Sequence, residues 1–225
     1  MMTVLRYTGK LLLWIPIVFF STLLVMNTME FFHFDTSRGF LSEKTEAIKN
    51  VLWLPMFYLH ISSGILLLVI PMVNFSRRML KFSPRMHVVI GKIYVYLALY
   101  LVAPSGIYLS FFAKEGLWSI LGFFVTGLCL SFSTYLGWIA MKKNNLQGHI
   151  EWMSRSYAVV SSAITFRILH LVFYSLEVEY HYNYILSVWL SLLVNLLLVE
   201  IMLIKKNDLK TLFKTNKSIT KIKSV

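Results

Sequence analysis

The stretch VLWLPMFYLHISSGILLLVIPMV, Val51 to Val73, runs without a single Asp, Glu, Lys or Arg. A helix rises 1.5 Å per residue, so about 20 apolar residues cross roughly 30 Å of hydrocarbon. This stretch is long enough, and its unbroken apolarity is unlike the short alternating strand of a membrane barrel. It predicts a transmembrane helix. Runs of the same kind lie at Leu11 to Met29, Met86 to Phe112, Leu117 to Met141, Trp152 to Leu176 and Tyr184 to Ile204. The expected fold is therefore an all-α bundle of six transmembrane helices, one domain over residues 1–225, with a basic tail over 205–225.

Composition agrees. Hydrophobic residues make up 57% of the 225 and charged residues 14%, and the mean hydropathy of +0.68 is too high for an ordinary soluble domain. The formal charge of +12, from 22 Lys and Arg against 10 Asp and Glu, would suggest a nucleic-acid partner in a soluble chain. Here the basic residues sit between apolar runs and in one tail, so that class is excluded. The lipid bilayer is the expected partner. The single cysteine, Cys129, allows neither an intrachain disulfide nor a four-cysteine metal site. The sequence holds no phosphate loop, dinucleotide fingerprint, nucleophile motif or internal repeat.

Lys and Arg gather in alternate connections: Arg6 and Lys10; Arg77, Arg78, Lys81 and Arg85; Lys142 and Lys143; and the tail from Lys205. Most acids lie in the others, with Glu30, Asp35, Glu43 and Glu46 in the first, Glu115 in the third, and Glu177 and Glu179 in the fifth. The positive-inside rule then puts both termini in the cytoplasm of a cell-membrane protein. The first run resembles a secretory signal, but Val25, Met26, Asn27 and Thr28 are wrong for a cleavage site, so it is read as a retained helix. The connection 27–50 is read as solvated, with folding over the bundle as its alternative. The tail is read as a partly disordered positive-inside segment, with an amphipathic membrane-surface helix as its alternative.

Ionisable side chains inside apolar spans are costly unless paired, hydrated or bound to something. His60 stands about nine residues, or roughly 14 Å, from the outer end of the second span, and His170 about six residues, or roughly 9 Å, from that of the fifth. His87 and His149 mark the cytoplasmic boundary. In the fifth span His149, Met153, Ser156, Val160, Ala163, Arg167 and His170 follow steps of four and three, which keeps them on one stripe.

Two histidines on facing helices suit axial ligation of a haem iron, with arginines to pair the propionates. This predicts a haem b at each level: His60 with His170 outside and His87 with His149 inside, the propionates held by Arg167, Arg85 and Arg155. The chain would then carry electrons across the membrane, with a quinol or another redox partner. Each histidine equally suits a structural role at an interface or among neighbouring hydroxyl groups. Arg167 has no carboxylate at its depth, so it also suits a binder or carrier of a small anion or lipid, with Arg167 and His60 as polar centre. An accessory membrane subunit is a third reading.

The segments His87-Val-Val-Ile-Gly-Lys-Ile-Tyr94, Gly148-His-Ile-Glu-Trp-Met-Ser-Arg-Ser-Tyr-Ala158 and Thr165-Phe-Arg167 together resemble the bacterial membrane family known as domain of unknown function 2306. The resemblance covers about Val51 to Leu176 and implies an integral membrane protein without an assigned activity. Val88 and Lys92 stand where that pattern is expected to show arginine. In layout the four-span core is also similar to two-haem cytochromes of the b561 type.

Overall fold

The structure, a computed structural model, describes residues 18–37, 39–75 and 83–222, with side chains described through Lys205. All regular structure among these residues is helical. A helix over 18–29 (α1) runs into a 3₁₀ turn at Glu30–His33 and two short helices, α2 (Gly39–Ser42) and α3 (Thr45–Ile48). Five long helices follow: α4 (Trp53–Asn74), α5 (Pro84–Ser110), α6 (Leu117–Lys142), α7 (Leu146–Ser175) and α8 (Tyr180–Ile222). Each of the five has a segment long and apolar enough to cross a membrane. Residues 11–17 of the first expected span, and the basic residues Arg6, Lys10, Arg38, Arg77, Arg78 and Lys81, lie outside the described residues.

Short connections make the long helices antiparallel neighbours. One end of the bundle carries the 30–50 segment and the α5–α6 and α7–α8 connections; the other carries the α6–α7 turn. These are called the loop end and the tail end below. Local chemistry sets the boundaries. Ser83 caps α5 by accepting from the Met86 amide at 3.4 Å, with Pro84 in the first turn, where its missing N–H is harmless. Asn145 Oδ1 accepts from the Gly148 amide at 2.9 Å and starts α7 at Leu146, ahead of the apolar run that began the expected span at Trp152. Gly116 precedes α6 with φ of 79°, a conformation that glycine adopts without a Cβ clash.

Inside α5 the backbone widens into a π-helical stretch at Leu97–Val102, just before Pro104. Proline has no N–H to give to the carbonyl four residues back, and a π turn absorbs that gap without ending the helix. Tight packing surrounds this stretch: Leu97, Ala98, Val102 and Ala103 join Leu67 of α4, Leu130 of α6, Val159 of α7 and Leu192 of α8 in one buried cluster. Tyr94 and Thr134 both hydrogen-bond to Ser156, at 2.8 and 2.7 Å, tying α5, α6 and α7 together where water is excluded.

The segment expected to be solvated folds back on the bundle instead. Leu41 and Ala47 are buried with Trp53 and Phe57, and Phe31, Phe40 and Phe57 make ring contacts 5.3–6.4 Å apart. Lys44 donates its ammonium to the Phe112 carbonyl, and Lys114 pairs with Glu43. The aromatic residues give the segment an apolar underside, which its charges conceal in the sequence. At the tail end, α8 continues to Ile222, and residues 205–222 contain no Gly or Pro to stop it.

Candidate functional site: a polar-ended cavity at the loop end

A cavity of about 590 Å³ opens among α1, the loop-end segment and all five long helices. Its wall is mostly apolar. Small residues make the space, notably Gly64 on α4, Ala103 and Gly106 on α5, and Ala163 on α7. At Gly64 an added Cβ would meet nothing within 4 Å, so this glycine looks directly onto open volume.

His60, His170 and Arg167 all border this cavity. His60 is held by α5: its Nδ1 lies 3.1 Å from both the Val102 carbonyl and the Ser105 hydroxyl. Ser105 already donates its own proton to backbone carbonyls, and Val102 offers only an acceptor, so Nδ1 carries the hydrogen and donates. The neutral ring then leaves a lone pair on Nε2, which has no hydrogen-bond partner among the described residues. His170 stacks on Phe166 with 5.8 Å between ring centroids and meets Tyr180 and Tyr184 edge-on. Its Nδ1 is buried without a hydrogen-bond partner among the described residues. Asn183 fixes the same turn by donating to the His170 carbonyl at 3.2 Å.

Three cations line the cavity: Lys44, Lys114 and Arg167. Burial pushes the Lys44 ammonium below the ordinary lysine range and Lys114 adds to that, while Glu43 pulls the other way. The hydrogen bond to Glu43 raises Lys114. Both lysines are thus committed to the latch between the loop-end segment and the α5–α6 connection. Arg167 is different. Its Nη1 donates to the Ala163 carbonyl of its own helix at 2.9 Å, and no carboxylate among the described residues pairs with it.

The other expected site residues lie elsewhere. His149 donates its Nδ1–H to the Gly137 carbonyl at 2.8 Å, joining α7 to α6. His87 sits in the first turn of α5; its carbonyl accepts from Asn74 at 3.4 Å, and its Nδ1 is buried without a partner among the described residues. Arg85 is exposed in that same turn. Arg155, expected to face a propionate, instead grips Glu200 of α8 with two hydrogen bonds, Nε to Oε1 at 2.5 Å and Nη2 to Oε2 at 2.9 Å, and lies 4.6 Å over Trp152. No group of three or more His, Cys, Asp and Glu suited to a metal ion occurs among the described residues.

Lys44, Glu43 and Lys114 carried no signal in the sequence, because a latch between residues 71 positions apart shows only in the folded chain. Gly64 carried a faint one, a small residue on the same side of its helix as His60.

No curated protein and no solved structure matches the chain. The family model described as "Predicted membrane protein (DUF2306)" matches residues 57–203. That range extends past the C-terminal end of the resemblance noted in the sequence and takes in most of the apolar part of α8, so each long helix bordering the cavity lies wholly or largely within it. The chain therefore belongs to the DUF2306 family of predicted membrane proteins.

Proposed function

We propose that this chain is a multi-pass cell-membrane protein that binds, and as a carrier passes on, an anionic ligand held at Arg167, with His60 as the second polar contact. A single observation carries this reading: a guanidinium partway along the apolar span of α7, itself exposed, borders a mainly apolar cavity and has no carboxylate partner among the described residues. A guanidinium in such a place calls for an anion or water. His60 adds an acceptor at Nε2 that a protonated headgroup or a hydroxyl can meet. The proposed arrangement has six spans with both termini in the cytoplasm, following the distribution of Lys and Arg, which places the loop end outside.

Native mass spectrometry of the full chain tests this. A released anionic adduct is expected in the wild type and lost in Arg167→Ala. Absence of any adduct, together with no anion-dependent rise in melting temperature, would remove the reading.

A second reading rests on His60 and His170 bordering one cavity, with Nδ1–H of His60 fixed by a backbone carbonyl. That is the outer-shell arrangement that orients an imidazole toward a metal. In it the two rings hold a haem b, Arg167 pairs a propionate, and a quinol or other redox partner supplies electrons. Haem-replete expression and an absorption spectrum separate the two: a Soret band that disappears in His60→Ala favours haem, and a colourless protein favours the anion binder.

A further inference from the structure

We infer that the ligand of this cavity is a single-chain amphiphile, with its acidic head, a carboxylate or a phosphate, on Arg167 and its hydrocarbon tail running toward the middle of the bundle. This rests on the anion-binding reading above and deepens it.

The shape of the cavity argues for a tail. Its lining runs along α4 from Trp53 to Leu68, about 22 Å of helix, and along α7 from Val159 to His170, about 16 Å. Polar and charged groups concentrate toward the loop end of this length: Glu43, Lys44 and Lys114 on the connections, then His170 and Arg167. From Arg167 to Val159, a further 12 Å or so, the wall is built mainly of Leu67, Leu130, Val159, Val160 and Ala163. A small hydrated anion at Arg167 would leave that deeper wall facing water, which apolar surface disfavours. A tail fills it. The volume, about 590 Å³, is that of a pocket for one compact ligand, too small for a whole two-tailed lipid.

The charges argue for the head. Lys44 donates to the Phe112 carbonyl and Lys114 pairs with Glu43, both in the latch at the rim of the loop end. Arg167 uses one of its five N–H donors on Ala163. The remaining fork matches the two oxygens of a carboxylate or phosphate. The cavity is also accessible: Phe40, Glu43 and Tyr180 are exposed lining residues at the loop end, where a head would enter last and a tail first.

The experiment measures melting temperatures of the detergent-solubilised full chain with oleate, 1-oleoyl lysophosphatidate, oleyl alcohol, acetate and inorganic phosphate. Oleate or the lysophosphatidate is expected to raise the wild-type midpoint by several degrees, the better of the two identifying the head, while the other three probes leave it unchanged. The rise should vanish in Arg167→Ala, survive in part in Arg167→Lys, and persist in full in Arg85→Ala at the other end of the bundle. Acetate or phosphate stabilising as strongly as oleate would overturn the amphiphile while leaving an anion site. Oleyl alcohol matching oleate would overturn the head on Arg167. No response to any probe would remove both this inference and the reading beneath it. Should Arg167→Ala fail to fold, the Arg167→Lys comparison and the alcohol probe still decide.

Discussion

A Cβ built on Gly106 of α5 would stand 2.9 Å from Cε1 of His60 on α4, so the imidazole rests against bare backbone. The same ring is tethered at Nδ1 by Val102 and Ser105. It is held on two sides by one helix, which leaves Nε2 as its free polar atom.

Gly106→Ala should therefore displace the ring and break its bond to Val102. Overpacking of this kind destabilises by about 1–3 kcal/mol, more than the gain of up to about 1 kcal/mol in helix propensity from removing a glycine. Thermal unfolding reads the loss, and the imidazole nitrogen resonances of His60 read the change in hydrogen bonding. An unchanged midpoint would mean that the ring moves aside freely.

Gly64→Leu should do the opposite. Its new Cβ meets nothing within 4 Å and Gly64 lines the cavity, so the fold should be kept and gain about 0.5–1 kcal/mol from helix propensity. Ligand binding should fall, because the leucine occupies the tail's path. Stabilisation by oleate that survives this substitution would place the bound tail elsewhere.

Arg155 and Glu200 form a two-pronged ion pair with side chains 21% and 41% exposed. Its worth should fall between the surface and buried limits, about 1–3 kcal/mol. A double-mutant cycle with Arg155→Met and Glu200→Gln measures the coupling. A value near zero would show that this ion pair adds nothing to the contact between α7 and α8.

Lys44 and Lys114 should titrate on opposite sides of 10.5, the ordinary lysine value. The folded chain releases the Lys44 proton before the unfolded chain does, so that residue adds stability as pH rises toward 10.5. The Lys114 contribution is complete below 10.5 and is lost as pH climbs past its raised folded value. Because Glu43 is 57% exposed, the Lys114–Glu43 pair itself is worth only about 0.2–1 kcal/mol. Carbon resonances of dimethylated lysines give both midpoints; coincident titrations would mean that the latch at the loop end is open.

Much of this architecture was readable from one dimension, for a physical reason. α4 and α6 end within a few residues of their apolar runs, because hydrocarbon tolerates neither charge nor unpaired backbone. The start of α7 was hidden: Asn145 caps a helix whose first turns carry Gln147, His149 and Glu151 and so do not look like membrane. Arg167 was legible as an ion without a partner. The pairing of Arg155 with Glu200 was not, since it depends on how α7 and α8 are rotated against each other. The cavity was equally hidden. It exists only because small residues on separate helices face one another, and no stretch of sequence records that meeting.

The widened turn at Leu97–Val102 changes how α5 counts its own residues. One residue more than an α-helix would use is wound into the same length, so everything after it is out of phase with everything before by about 100°. Tyr94, on the near side, keys into Ser156, while Ser105 and Gly106, on the far side, address His60. Deleting one residue within this stretch would restore the regular winding and swing one of those two faces away from its partner. Chain length here is itself a determinant: a missing residue would do harm that a changed one would not.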